Sequence, residues 1–97
     1  MTIGRMFLLE AYVPRSSAGG PASAAADARA AAAAMRREGK PVWVLRSFFM
    51  PEDELWFCLF EASCSDDVSE ASHRAGLLPG RIQRANDDER RPKRETS

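Results

Sequence analysis

The chain is poor in the residues that hold metals and staple small folds, with one histidine and two cysteines among 97 residues. Two thiols make neither a disulfide scaffold nor a zinc knuckle. Cys58 falls inside an apolar run and reads as a small core residue, and Cys64 falls in the turn that follows. A divalent transition metal ordinarily takes an imidazole, and His73 is the one candidate. Near the end of a short helical segment, it reads as a solvated cap that suits the helix dipole. Charge excess is missing too: 14 lysines and arginines face 14 aspartates and glutamates, so no global field draws nucleic acid or an anionic membrane. No apolar run reaches bilayer length, and the start lacks a basic segment followed by a long apolar stretch. These absences predict a cytoplasmic protein whose partners include neither nucleic acid nor membrane.

What is present is one domain's worth of alternating elements. Residues 6–13, "MFLLEAYV", read as a first strand ended by Pro14. After the turn-forming "RSSAGGP", residues 22–38 are the strongest helix former in the chain, and Gly39 stops them. Residues 42–50 and 55–62 read as a hairpin about "PEDE". Ser65 is placed to cap a short helix over 66–75 that Gly76 ends, and residues 81–85 form a short fourth strand. The expected domain is 1–85, with 86–97, "NDDERRPKRETS", a disordered charged tail. The order β-α-β-β-α-β predicts an α+β, ferredoxin-like fold, a four-stranded antiparallel sheet with both helices on one face. Strands one and three are expected as parallel neighbours at its centre.

Both faces of these strands are apolar. The first helix offers mostly alanine and Met35, so the sheet must supply volume: Phe7, Leu9, Val13, Trp43, Leu45, Phe49, Trp56 and Phe60 are assigned to that side. Met6, Leu8, Tyr12, Val42, Val44, Phe48, Leu55, Phe57 and Leu59 then fall on the other. So large an apolar face exceeds what monomers usually expose. A second copy, packed sheet to sheet about a two-fold axis into a dimeric α+β barrel, is the economical cover.

Three charges interrupt this second face: Glu10, Arg46 and Glu61. If strands one and three run parallel, Glu10 and Glu61 lie close together. Arg46 then either neutralises them in a structural Glu–Arg–Glu cluster, or the two carboxylates hold a metal ion or polar ligand with Arg46 and Tyr12 in support. These four are the candidate ligand-binding residues, with Glu10 and Glu61 the candidate metal ligands. A rival reading is a cofactor-independent oxygenase or isomerase of the barrel type, in which a paired carboxylate moves a proton. No nucleophile and base stand together to name a reaction. An RRM-type nucleic-acid module shares the strand order, but "LWFCLFEA" lacks that module's glycines and positive charge.

The stretches "FLLEAYVP", "VWVLRSFFMPEDELWFCLFEA" and "HRAGLLPGRI" resemble a family of small bacterial proteins of unknown function whose described members are nickel-binding or nickel-responsive. The likeness spans about residues 5–85. It implies a ferredoxin-like homodimer of the barrel type that binds a small ligand or a metal ion such as nickel between its sheets. Glu10, Arg46 and Glu61 match residue types the family carries. The family's second-helix histidine falls at Ala71 here, and His73 lies two residues on, a helical rotation of about 200°.

Overall fold

A computed structural model describes residues 4–77 and 79–86. Apart from Asn86, the expected charged tail lies outside the described residues. The chain runs β1 (Arg5–Tyr12), α1 (Gly20–Arg37), β2 (Trp43–Met50), β3 (Leu55–Ala62), α2 (Ser65–Arg74) and β4 (Pro79–Ala85). This is the ferredoxin-like α+β order, and its four strands form one antiparallel sheet ordered β2-β3-β1-β4.

Both helices stop by the same device. Gly39 N–H donates to the Arg36 carbonyl and Lys40 N–H to that of Met35; Gly76 N–H donates to His73 and Leu77 N–H to Ser72. The two glycines hold left-handed φ values of 92° and 76°, which a β-carbon disfavours. At the start of α1, a proline occupies the first turn, where a missing N–H costs nothing. The residue at the N-cap of α2 is Cys64, in extended conformation and without a side-chain cap bond. The expected Ser65 cap is thus displaced by one residue, and Asp66 and Asp67 in the first turn supply the favourable charge instead.

The α1 face that meets the sheet is Ala24, Ala28, Ala31, Ala32 and Met35, all buried. This spacing makes one helical stripe. Small side chains let the helix approach, and Trp56, Phe60 and Leu9 fill the space from below, each at most 1% exposed. Phe7, Val13 and Cys58 join them, and Phe49 packs at the margin.

Two expectations are corrected. First, β1 and β3 run antiparallel, pairing Met6 with Glu61, Leu8 with Leu59 and Glu10 with Phe57. The reason is topological. The crossover through α1 returns β2 parallel to β1 with one strand's gap between them, and the hairpin then lays β3 in that gap in the opposite sense. Second, Trp43 and Leu45 do not join the core under the helices; they are 48% and 38% exposed, and Trp43 meets α1 through the Arg36 side chain at the edge of the sheet, whereas Val42 is fully buried and Val44 packs against the core. A break in the β2/β3 register between Val44 and Arg46 leaves Leu45 without a partner. One extra residue in a strand reverses the side on which every residue before it falls.

Candidate functional site

The two ladders order the sheet's open face into rows across the strands. Met50, Leu55 and Tyr12 make the first; Phe48, Phe57, Glu10 and Arg81 the second; Arg46, Leu59, Leu8 and Gln83 the third; Trp43, Glu61, Met6 and Ala85 the fourth. The centre of this face is apolar and half-buried, while Phe48, Met50 and Tyr12 are about half exposed. Phe48 and Phe57 stack across β2 and β3.

The four candidate residues are all on this side or at its margin, but they do not converge. Glu10 stands opposite Phe57, and Glu61 stands opposite Met6. That is four residues along β1, about 13 Å at a rise of about 3.3 Å per residue. The expected pairing of the two carboxylates within one chain, and the Glu–Arg–Glu cluster built on it, are therefore not formed. Glu10 instead has Arg81 directly across the β1/β4 ladder. Arg46 has Leu59 across from it, with Glu61 on the diagonal. Among the described residues the side chains of Glu10 and Arg46 make no hydrogen bond or salt bridge.

Glu61 leans toward the start of β1. A β-carbon added to Gly4 would lie 2.5 Å from its Cγ and 2.9 Å from its Oε2, so the carboxylate occupies the space that a side chain at position 4 would fill. Gly4 belongs to the β1 side of β3, and Arg46 to the β2 side.

Tyr12 is committed elsewhere. Its hydroxyl donates to Glu54 Oε1 at 2.9 Å, while Arg15 N–H donates to Oε2 at 2.8 Å and Val13 N–H donates to the Glu54 carbonyl at 2.9 Å. Glu54 thus ties the β2–β3 turn to the end of β1, in a left-handed conformation with φ 54°. The Arg15 N–H, and then the Tyr12 hydroxyl, hold the Glu54 carboxyl below its usual range. Reciprocally, the hydrogen bond to Glu54 and its negative charge push the Tyr12 phenol up. Tyr12 also edges a concavity of about 270 Å³ on the helix side, with Ser17, Ser23, Asp27 and Leu77.

The outer edge of β2 is covered from the helix layer. Arg36 donates to the Val42 carbonyl at 2.7 Å and Arg29 to that of Val44 at 3.3 Å. The Arg36 guanidinium also stands 4.0 Å over the Trp43 ring, a cation–π contact. These contacts blunt an edge that would otherwise template strand addition.

Ala71 is fully buried, and His73 is exposed on another side of α2. Cys58 lies in the core, where burial pushes its thiol up to about 12, while Cys64 is exposed. Among the described residues no three of histidine, cysteine, aspartate and glutamate gather into a metal-sized group, and no helix is long and apolar enough to cross a membrane.

Sequence reading missed Glu54 and Arg81. Glu54 is one of three acids in "PEDE", and only its backbone conformation distinguishes it. Arg81 meets Glu10 through a ladder whose register shifts between Glu10 and Ala11, a shift with no marker in the residue types. No protein-family model, curated protein or solved structure matches the chain.

Proposed function

We propose that the chain is a homodimeric small-molecule-binding protein of the cytoplasm, its site formed where the open sheet face is closed by a second copy. The observation that carries this reading is the face itself: an apolar centre of Leu8, Leu55, Phe57 and Leu59 beside half-exposed Phe48 and Met50, with Glu10, Glu61, Arg46 and Arg81 spaced among them. Two charges of each sign make the face self-complementary, which suits a copy of itself better than a polyanion. The arginines along the β2 edge favour association through the face over strand addition there. The exposed thiol of Cys64 suits a reducing compartment.

A nickel-type site made by Glu10 and Glu61 would need one carboxylate from each copy, because within one chain they stand about 13 Å apart. The reading therefore rests on an organic ligand. Titration of the purified chain with Nile red, a neutral apolar dye, tests it. Saturable fluorescence that Phe57→Arg abolishes is expected. Absence of saturable binding, or binding unchanged in Phe57→Arg, would contradict it.

A further inference from the structure

We propose that the chain holds a phosphate group at the outer edge of β2, between the guanidinium groups of Arg29 and Arg36 and beside the Trp43 ring. The site lies where α1 meets the sheet edge. It needs no second copy, so it stands apart from the reading of the open face.

The place is a cavity of about 180 Å³ lined by Arg29, Ala32, Arg36, Trp43 and Val44. Its two charges are of one sign, and among the described residues no acid lines it. The sequence arranges this. Arg29 and Arg36 stand about two turns apart on α1 and share a face. The helical neighbours of Arg29 on that face, Ala25, Ala26, Ala32 and Ala33, are all alanine, and the latter two also precede Arg36 by one turn, so no acid of α1 is placed to neutralise the pair. Across the ladder from Trp43 is Glu61, which leans toward Gly4 on the β1 side of β3.

The strand edge fixes both guanidiniums. Arg36 donates to the Val42 carbonyl at 2.7 Å and Arg29 to that of Val44 at 3.3 Å. Carbonyls two residues apart on an extended segment lie about 7 Å from one another, so the guanidiniums anchored on them are held at a similar spacing. A tetrahedral oxyanion that accepts a charge-assisted hydrogen bond of about 2.8 Å from each side fits such a gap. Each anchoring bond uses a single N–H of a group that carries several. The Arg36 guanidinium also stands 4.0 Å over the Trp43 ring, a cation–π contact that consumes no N–H.

Charge and size select the ligand. A phosphate monoester carries about −1.5 to −2 at neutral pH and several strong acceptor oxygens, which matches two guanidiniums; a carboxylate brings a single charge. The cavity is smaller than the roughly 300–1,000 Å³ of sites that enclose a whole organic molecule. It therefore takes the phosphate alone and leaves any remainder of the ligand outside. Inorganic phosphate and phosphate monoesters share this chemistry.

The test is an NMR titration of the full chain with inorganic phosphate, with phenyl phosphate and with sodium chloride at matched ionic strength, following the two indole N–H signals. Both phosphates are expected to shift the Trp43 indole saturably and to leave that of buried Trp56 in place. Arg29→Gln, at an exposed position and checked for native dichroism, is expected to weaken phosphate binding about tenfold or more, and Arg29→Lys to weaken it less. Tighter binding of phenyl phosphate supports an ester as the source, and equal or tighter binding of inorganic phosphate supports the free ion. No saturable shift in the unaltered chain, a shift that chloride reproduces, or an affinity unchanged in Arg29→Gln would overturn the inference.

Discussion

The rings of Phe48 and Phe57 stack across β2 and β3 with centroids 5.3 Å apart and planes 16° from parallel. Phe48 is nevertheless 48% exposed, so half of its surface contributes nothing in an isolated chain. Such pairs contribute about 0.5–1.5 kcal/mol beyond their area. Phe48→Ala is expected to cost about 1 kcal/mol of chain stability, and also to weaken self-association. Urea unfolding at two protein concentrations separates the effects: the midpoint of the unaltered chain rises with concentration, and that of the variant rises less. Midpoints independent of concentration in both proteins would speak against the interface.

Glu54 makes acid stability a local matter. Its carboxyl is held below the usual range in the folded chain by Arg15 N–H and the Tyr12 hydroxyl. Its stabilisation is therefore present above the unfolded carboxylate value and lost as pH falls through the lower folded one. Glu70, bonded by Lys40 and Arg74, and Glu38, bonded by Arg74, act in the same direction. Thermal midpoints should fall as pH drops through the carboxylate range, and Glu54→Gln should flatten part of that fall.

Tyr12 reports the same contact from the other side. It is the chain's one tyrosine, so phenolate absorbance follows it alone. The unaltered chain should ionise above ordinary tyrosine, since the hydrogen bond to Glu54 favours the neutral phenol. Glu54→Gln should bring the transition down toward the ordinary value. An unchanged transition would show that the hydroxyl is not held by Glu54.

The two thiols should divide sharply. Cys58 is fully buried with its thiol pushed up to about 12, and Cys64 is exposed at the start of α2. Because the thiolate is the reactive form, a thiol reagent should modify one cysteine in the native chain and both in denaturant. Cys64→Ser should abolish the native reaction. Rapid native labelling of that variant would place Cys58 outside the core.

Ser72 is fully buried in α2, and among the described residues its hydroxyl has no hydrogen-bond partner. Leaving such a group unsatisfied costs about 1–3 kcal/mol, and alanine is the better helix former. Ser72→Ala is expected to raise unfolding stability by about 1 kcal/mol, as read by urea denaturation. A loss of similar size would mean that the hydroxyl is satisfied in solution.

Element order and type were legible because each rests on local chemistry: the alanine run of α1, the glycines that end both helices, and the apolar runs of β1 and β3. The bounds of β3, Leu55–Ala62, coincide with those read from residue types. Side assignments held for β1 and β3, where period two is unbroken. They failed for Trp43, Leu45, Val42 and Val44 because one extra residue reversed parity, and no residue type announces a bulge. The candidate site was legible as a set of charges on one apolar face, but not as a geometry. Glu10 and Glu61 fall at opposite ends of their ladder because strand sense decides which residues meet. That sense followed from the hairpin and the crossover together, not from either strand alone.

Sedimentation equilibrium of the unaltered chain beside Phe57→Arg, at micromolar concentrations, tests most directly whether an identical subunit covers the open face. The account predicts twice the 10.7 kDa chain mass for the unaltered protein, and a folded monomer for the variant, whose new charge is stranded in the apolar centre. A lone 10.7 kDa species for the unaltered protein, or a dimer indifferent to Phe57→Arg, would contradict it.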